Sequence, residues 1–530
     1  MKAERISLER FKTHSEIVGD YLSTDSNSIS FFPSQFSIKS FSDSIKSRDF
    51  SEHKRKVLHN SIKKQYEEQG IDLPSISKDQ IQSLLEPNTF TVTTGHQLSL
   101  FTGPLFFVIK ILQIIKLAKT LNDTYKEAHF VPMFWMATED HDFEEINHIH
   151  LFGKRLEWPD KQGGAVGDYN LTSFKEILEP LDEILGDSER AIEIKNLFQK
   201  AYSNDKNLTQ ATRKLVHELF SDRGLLIIDG NDTDLKNLFK DYFKNEVENQ
   251  VIFKEVEKTV KEFPDDYKVQ VNAREVNIFY LEENSRKLIE HNQAVYSLKE
   301  GSKTWDQQTL LDEIENHPER FSPNVLLRPI YQECILPNLC YTGGPAEIAY
   351  WLEMKSTFKA FDVQMPLLNL RNSLMWLDKG KLKKLNKLSI QVDDLFVDES
   401  EINKRLADFE TIESSLDKDI ETVNQAFQQL GRKIEDTDAS LKPTVLAEGR
   451  KIEKQLEQLK GRLLRAEKSK KEERINAYWN LYEKVFPSGN LHERYDNFVP
   501  YFLSYGWSFF DTIYEHLDPE DSRLLLIKDI

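Results

Sequence analysis

The chain has 530 residues, of which 39% are hydrophobic and 30% are charged. This length exceeds what one hydrophobic core usually holds, so we expect two to four structural units. The 70 basic and 88 acidic residues give a formal net charge of −18, which argues against general affinity for nucleic acid or for anionic membranes. The longest apolar segment, 105–117, is interrupted by Lys110 and Lys116 and is too short to span a bilayer. Two cysteines, Cys334 and Cys340, are too few for a disulfide framework or a CxxC zinc site, and they fit a reducing, cytoplasmic setting.

Residues 1–88 are predicted to form a mainly helical segment that packs on the core. The stretch 23–51 is rich in serine and phenylalanine, and its aromatic side chains need burial, so we expect an extended or mixed conformation there. Residues 50–85 have a polar helical pattern, which Pro87 and Asn88 end.

Residues 89–119 are predicted to form a strand, a polar loop and a helix. Apolar residues after Pro104 recur at helical spacing, and proline suits the first helical position because its missing N–H needs no partner there. A loop that leads into a helix N-terminus favours phosphate binding. The alternative is an ordinary crossover loop, since the GxxxxGK[ST] and full GxGxxG patterns are absent. The candidate ligand-binding residues of this loop are Gly95, His96, Gln97, Thr102 and Gly103.

A second buried strand is predicted at 130–137, because its residues are almost all apolar, as in a parallel sheet that is covered on both faces. It ends in a polar cluster made of Thr138, Glu139, Asp140, His141 and Asp142. Two strand–helix steps that both end in polar residues predict an open α/β sheet with a ligand crevice at the carboxyl ends of its strands. His96 and the 139–142 cluster should therefore share one edge.

The core is predicted to extend over 89–378, with insertions at about 154–222 and 284–320. Further strands are expected at 224–230, which reaches Asp229, and at 365–371. Candidate ligand-binding residues in this part are Arg328, Gly343, Gly344, Glu347, Arg371 and Ser373. An arginine at a strand end binds anions in some sites and forms a structural ion pair in others.

Residues 379–483 change in composition to Lys, Glu, Gln, Leu and Asp. Apolar residues step by three and four in two long runs, which predicts an antiparallel coiled-coil arm with a break around 436–443. We expect this arm to form a homodimer. Residues 484–530 are rich in aromatic residues and are predicted to pack back on the core.

The segment 138–150 also contains His148 and His150, so a metal site is an alternative. Metal binding would need three or four ligands to converge, and the HExxH spacing is absent. We therefore predict no metal ligands, and expect Asp140, His141 and Asp142 to hold a ribose, an amine or a sugar hydroxyl, since carboxylates accept the hydrogen bonds that ammonium and hydroxyl groups donate.

Four stretches together resemble one family: TGHQLSLFTGPLFFVIK, FWMATEDHDFEEINH, YTGGPAEIAYWLEMKSTF with MPLLNLRNS after it, and the heptad arm. They resemble the BshC family, the cysteine ligases of bacillithiol biosynthesis. The resemblance implies an α/β Rossmann-like core related to class I aminoacyl-tRNA synthetases, helical insertions and a coiled-coil dimer arm. It also implies the last pathway step, in which cysteine is joined to glucosaminyl-malate. The HIGH and KMSKS signatures of the synthetases are not present.

We therefore predict a ligase that activates the cysteine carboxylate with ATP, accompanied at most by Mg²⁺, through an acyl adenylate or an acyl phosphate. His96, Glu139 and His141 are the predicted catalytic residues. His96 and the helix end at Pro104 would stabilise charge on the transferring group, and Glu139 would serve as a base. The alternatives are a metal-dependent hydrolase that uses the 138–150 cluster and a non-catalytic scaffold protein.

Overall fold

The computed structural model describes residues 1–7, 14–23, 30–203, 206–293, 295–407 and 413–530. Part of the serine- and phenylalanine-rich stretch, residues 24–29, lies outside the described residues. The chain divides into two compact units. The first comprises 1–376 and 491–527, and the second comprises 377–490 and 528–530. No helix of the described ranges is long and apolar enough to cross a membrane.

In the described part of the chain, the strands form four sheets. In chain order they are β1 (Lys2–Ile6), β2 (Thr89–His96), β3 (His129–Met136), β4 (His148–Leu151), β5 (Lys154–Glu157), β6 (Leu226–Asp229), β7 (Ile278–Glu282), β8 (Ser285–Asn292), β9 (Val295–Leu298), β10 (Thr304–Trp305), β11 (Phe321–Pro323), β12 (Asn338–Gly343), β13 (Leu367–Leu370), β14 (Leu374–Leu377) and β15 (Leu524–Lys528).

Most helices belong to the first unit. The helices of the first unit before residue 377 are α1 (Glu16–Leu22), α2 (Phe41–Ser47), α3 (Glu52–Glu67), α4 (Ser75–Ser83), α5 (Phe106–Thr124), α6 (Phe143–Ile146), α7 (Lys175–Leu185), α8 (Glu189–Ala201), α9 (Leu208–Phe220), α10 (Thr233–Asn249), α11 (Val251–Val260), α12 (Gln307–Asn316), α13 (Leu327–Ile335), α14 (Pro345–Leu352) and α15 (Lys355–Ala360). The second unit contains α16 (Lys379–Lys387), α17 (Glu399–Ala407), α18 (Glu413–Glu435) and α19 (Lys442–Val485). The last two helices, α20 (Val499–Tyr505) and α21 (Ser508–His516), belong to the first unit again.

The centre of the first unit is a five-stranded sheet in the order β13-β12-β2-β3-β6, and its paired strands are parallel. The chain adds β3 and β6 on one side of β2, and later β12 and β13 on the other side. Nearly every residue of β2 and β3 is buried, because helices cover both faces of a parallel sheet. The predicted Rossmann-like sheet is confirmed, and its topological switch point lies between β2 and β12.

Helix α5 packs against β2 and β3. Its buried residues lie around much of its circumference, as expected for a helix inside the core. Lys110 and Gln113 are buried among them. The helix begins at Phe106, two residues beyond the predicted start at Pro104.

A second five-stranded sheet, β10-β9-β8-β7-β11, is antiparallel throughout. Its strands β8, β9 and β10 lie within the segment 284–320, for which an insertion was predicted. The loop before it and the strands β8 and β11 contribute to the cavity described below. A third sheet, β1-β15-β14, joins the two ends of the chain.

In the second unit, α18 and α19 form an antiparallel hairpin, and α19 is about 66 Å long at 1.5 Å per residue. The amide of Asn424 donates to Glu453 over 3.0 Å, and Lys460 pairs with Asp417. A β-carbon on Gly449 would lie 3.0 Å from Phe427, so glycine permits the close approach of the two helices. The predicted coiled-coil arm is confirmed, with its break between residues 435 and 442.

Candidate active site

A cavity of about 820 Å³ lies at the carboxyl ends of β2 and β3 and beside β12. This is the edge where open α/β sheets bind their ligands, and the volume is in the usual range for small-molecule sites. The loop between α11 and β7 closes one side of the cavity and contributes Gln270, Val271, Asn272 and Arg274. The cavity is therefore built from two sheets of the first unit.

The end of β2 contributes Gly95 and His96, and the next residue is Gln97. His96 is half-buried, and its ring lies 5.3 Å from that of Phe106 between centroids. Burial, followed by the nearby charge of Lys110, lowers the pKa of His96 to about 4. His96 is therefore neutral at physiological pH.

Lys110 lies directly below this strand end, and only 2% of it is exposed. Its Nζ donates to the Gly95 carbonyl over 2.7 Å and lies 2.5 Å from Oε2 of Glu347. Burial lowers the pKa of Lys110, although the Glu347 carboxylate opposes the shift. The ion pair keeps a charged lysine inside an apolar helix.

Glu347 is the acceptor at the centre of this cluster. It accepts hydrogen bonds from Tyr341 over 2.5 Å and from the Gly344 N–H over 2.8 Å. Burial by itself would raise the pKa of Glu347, but Lys110 and these hydrogen bonds outweigh burial and leave the pKa below its ordinary value. Glu347 is thus a fixed negative charge that holds α14 to α5.

The polar cluster after β3 is held by its own hydrogen bonds. Asp140 accepts from the His141 N–H over 2.7 Å and from the Gln97 amide over 2.7 Å. Gln97 also donates to Glu145 over 2.7 Å. The ends of β2 and β3 lie close together, as predicted, and the hydrogen bond from Gln97 to Asp140 connects them.

Glu139 lines the cavity and is mostly buried. Its Oε1 lies 2.7 Å from Nζ of Lys236, a side chain with no exposed surface. Lys236 also donates to Asn231 over 2.7 Å and to the Glu319 carbonyl over 3.0 Å. The carboxylate that was predicted to act as the base is thus engaged in an ion pair with a buried lysine.

Arg328, from the start of α13, is surrounded by aromatic rings. Its guanidinium carbon lies 5.7 Å from the ring centre of Trp135, 5.5 Å from that of Tyr341 and 5.9 Å from that of Trp351. Cation–π contacts of this kind fix the plane of a guanidinium. Arg328, one of the predicted ligand-binding residues, therefore lines the cavity with its charge held among these rings.

Several cavity residues were missed by the sequence analysis. Arg274 and Arg286 lie in polar stretches of the chain, and their contact with the cavity depends on tertiary folding. Lys110 carried a signal that could have been used, since a lysine in an otherwise apolar helix needs a buried partner. The missed lining residues include Lys110, Trp135, Arg274, Arg286 and Tyr350.

Thr102 and Gly103 do not line the cavity. The loop that holds them is buried, and the Asn497 amide donates to the Gly103 carbonyl over 2.6 Å. The N–H of Leu105 donates to the Asp496 carbonyl over 2.7 Å. The N–H groups of Thr102 and Gly103 likewise donate to the carbonyls of Ser99 and Leu100. Because protein carbonyls already accept from these N–H groups, the expected phosphate contact at this helix end has no support in the structure.

Arg371 and Ser373 are also outside the cavity lining. Nη1 of Arg371 lies 2.7 Å from Oε1 of Glu493, and both side chains are almost fully buried. The Ser373 carbonyl accepts from Leu525 in the sheet over 2.8 Å. Of the two possibilities open for Arg371, the structure contains the structural ion pair.

Gly343, Gly344 and Asp142 are not lining residues either. Gly344 is the N-cap residue of α14, and a β-carbon on Gly343 would lie 3.0 Å from Glu347. Asp142 is the N-cap residue of α6 and accepts from the Glu145 N–H over 3.3 Å. These three residues shape the loops next to the cavity.

The predicted alternative of a metal site has no geometric support. The described part of the chain contains no group of three or more His, Cys, Asp or Glu side chains that could hold a metal ion. His148 and His150 lie on β4, where the His150 ring stacks on Tyr495 with 3.7 Å between centroids.

Two family models match the chain. "Bacillithiol biosynthesis BshC, N-terminal Rossmann-like domain" matches residues 1–372, and "Bacillithiol biosynthesis BshC, C-terminal coiled-coil domain" matches residues 375–528. The chain belongs to the BshC family. The descriptions of both models assign this family to bacillithiol biosynthesis.

Full-length relatives support the same assignment. A protein of Flavobacterium johnsoniae is 38% identical over 530 residues, which cover 99% of this chain and 100% of the relative. A protein of Christiangramia forsetii is 37% identical, with 99% of both chains covered. A protein of Bacillus cytotoxicus is 26% identical, with 94% of this chain and 95% of the relative covered. All three bear the name "Putative cysteine ligase BshC".

Proposed function

We propose that the chain forms an amide between the carboxylate of cysteine and the amine of glucosaminyl-malate, the last step of bacillithiol biosynthesis. The observation that carries the proposal is the cavity at the switch point, where a neutral histidine faces an array of cations. The name of the relatives supports cysteine as one substrate.

A carboxylate does not condense with an amine unaided, so the reaction needs an activating nucleotide. Lys110, Arg274, Arg286 and Arg328 all line the cavity, and their positive charge would attract an anionic nucleotide as well as carboxylate substrates. Trp135 and Tyr350 offer aromatic surface for a base. When bound, ATP with Mg²⁺ would supply the phosphoryl or adenylyl group that activates the cysteine carboxylate.

His96 is the proposed proton acceptor. The amine nitrogen forms a bond to the carbonyl carbon of cysteine, the bond from that carbon to the activating group's oxygen breaks, and the amine proton passes to Nε2 of His96. A neutral imidazole can take this proton, whereas the Glu139 carboxylate is already paired with Lys236. General base catalysis of this kind contributes about 10²- to 10⁴-fold to a rate.

The cations divide between the substrates. Arg328 is rigid and lies near the strand end, so it would orient the cysteine carboxylate. Arg274 is exposed at the rim and Arg286 is fixed on β8, and they would receive the two carboxylates of the malate part. Guanidinium groups match carboxylates in shape and charge.

The test is to incubate the purified chain with cysteine, ATP and glucosaminyl-malate and to measure the thiol product, AMP and ADP. AMP would indicate adenylyl transfer, and ADP would indicate phosphoryl transfer. His96→Ala should lower product formation by about 10²-fold or more with an unchanged circular dichroism spectrum, while the control His148→Ala should remain active. Full activity of His96→Ala would refute the assignment. Absence of both product and ligand binding in the wild type would favour the scaffold alternative.

We also propose that the α18–α19 hairpin forms a homodimer. Leu430 on α18 and Leu459 and Leu463 on α19 are 45%, 50% and 36% exposed, and exposed leucines on a coiled coil favour a partner helix. A second copy of the chain is the proposed occupant. Light scattering should give twice the monomer mass, and the double variant Leu459→Glu, Leu463→Glu should give the monomer mass. A monomeric wild type at all concentrations would refute this proposal.

A further inference from the structure

Arg286 is held in one orientation by three contacts. Its Nε donates to the Ser322 hydroxyl over 3.1 Å, and its Nη2 donates to the Pro323 carbonyl over 3.0 Å. The guanidinium carbon lies 3.9 Å from the ring centre of Phe279. A guanidinium fixed in this way presents its remaining N–H groups in defined directions.

One of these N–H groups faces His141. Nη1 of Arg286 lies 2.9 Å from Nδ1 of His141. Arginine has donors and no acceptor, and it stays protonated in proteins, so Nδ1 must be the unprotonated nitrogen. The proton of the neutral imidazole is therefore on Nε2. Oδ1 of Asp140 is 3.7 Å from the same Nδ1, beyond hydrogen-bond length.

The charges around His141 agree with this assignment. Burial, followed by the positive charge of Arg286, lowers its pKa, while Asp140 and Asp142 act in the opposite direction. An imidazolium would place an N–H against the N–H of Arg286, so protonation at Nδ1 requires this contact to break. His141 is thus held in its neutral form.

His96 has the opposite arrangement. Its Nδ1 lies 2.9 Å from the Gln97 carbonyl oxygen, and a carbonyl oxygen can only accept. Nδ1 of His96 therefore carries the proton, and Nε2 has a free lone pair. Both histidines line the same cavity.

We propose that the two histidines have opposite tautomers, and that Arg286 is the positioning residue that fixes the second. His96 presents a hydrogen-bond acceptor at Nε2, and His141 presents a hydrogen-bond donor at Nε2. Resting on the proposed ligase function, this division makes His96 the proton acceptor and His141 the donor to an oxygen that gains negative charge, in the manner of an oxyanion site. The backbone hydrogen bond of one residue and the guanidinium of another thus assign two chemically identical side chains to different tasks.

The tautomers can be measured without any activity. In protein labelled with ¹⁵N-histidine, two-bond ¹H–¹⁵N spectra distinguish protonated from unprotonated ring nitrogens, and His96→Asn and His141→Asn assign the signals. We expect Nδ1–H for His96 and Nε2–H for His141 in the wild type. An Nδ1–H signal for His141 would overturn the proposal, even if the ligase reaction had been demonstrated. Conversely, the expected signals would support the opposite tautomers even if no ligase activity were found.

Three variants test whether Arg286 fixes the tautomer of His141. Arg286→Met removes the donor, so the pKa of His141 should rise and both tautomers should be populated. Arg286→Lys keeps a cationic donor and should restore the Nε2–H form. Arg274→Gln, at the same cavity, is the matched control and should leave His141 unchanged. The pKa is measured residue by residue from hydrogen exchange at the ring C2 position, followed by mass spectrometry.

Two results would refute the role of Arg286. One is an unchanged pKa and tautomer of His141 in Arg286→Met, and the other is an equal change in Arg274→Gln. If Arg286→Met does not fold, the wild-type tautomer and the Arg286→Lys variant still decide the question. A purely structural role of Arg286 would lower stability in Arg286→Met without moving the pKa of His141.

Discussion

The buried ion pair between Arg371 and Glu493 gives a prediction whose size follows from the structure. The pair is 2.7 Å long, and its side chains are 2% and 0% exposed. The other oxygen of Glu493 accepts the Leu374 N–H over 2.6 Å. Glu493→Gln keeps the shape and an acceptor but removes the negative charge, so Arg371 remains buried and uncompensated. Breaking a buried pair from one side costs about 3–5 kcal/mol.

The assay is urea unfolding of wild type and variant, which gives the difference in the free energy of unfolding. Asp123→Asn is the control, because the pair of Asp123 with Lys119 is 3.0 Å long but 63% exposed on each side. An exposed pair of this kind contributes about 0.3–0.5 kcal/mol. If Glu493→Gln were within about 1 kcal/mol of wild type, the pair would not be the structural element described above, and the predicted ligand-binding role of Arg371 would regain support.

Three further predictions concern other parts of the molecule. Gly461→Ala should stabilise the hairpin by about 0.8–1 kcal/mol, since alanine is the better helix former and a β-carbon there would contact nothing within 4 Å. Gly449→Ala should lose this gain, because the new β-carbon would lie 3.0 Å from Phe427. Thermal unfolding followed by circular dichroism compares the two variants, and equal gains in stability would contradict the close packing at Gly449. Burial raises the pKa of Glu353 to about 7. Between about pH 4.5 and 7 the folded protein therefore keeps a proton on Glu353 that the unfolded chain has released, and the free energy of unfolding falls progressively as pH rises through this range. Glu353→Gln should therefore gain stability relative to wild type over that range, as measured by unfolding at several pH values, and a difference independent of pH would refute the assignment. Lys110→Met should raise the pKa of His96 above about 4, because the positive charge of Lys110 helps to lower that pKa. Hydrogen exchange at the ring C2 position measures the pKa. An unchanged value would contradict the contribution of Lys110.

The sequence alone determined the α/β core and the hairpin. Residues 130–137 had the apolar composition of a buried parallel strand, and at 89–94 threonines alternate with Phe90 and Val92 in a pattern typical of a β-strand. The heptads at 416–434 and 452–466 had the spacing of a coiled coil. These are local patterns, and each element follows from the period of its own residues. The common edge of His96, Gln97 and the 139–142 cluster was also predictable, because parallel strands end on the same side of a sheet.

Only the tertiary structure decided which polar residues reach the cavity. Arg286 and Arg274 come from a segment more than a hundred residues beyond His141, and no local pattern indicates that they line the same space. Arg371, in contrast, follows a core strand as predicted, but its charge is paired with Glu493 from the far end of the chain. A side chain's neighbours depend on long-range packing, and packing also decides which nitrogen of His96 and of His141 carries the proton.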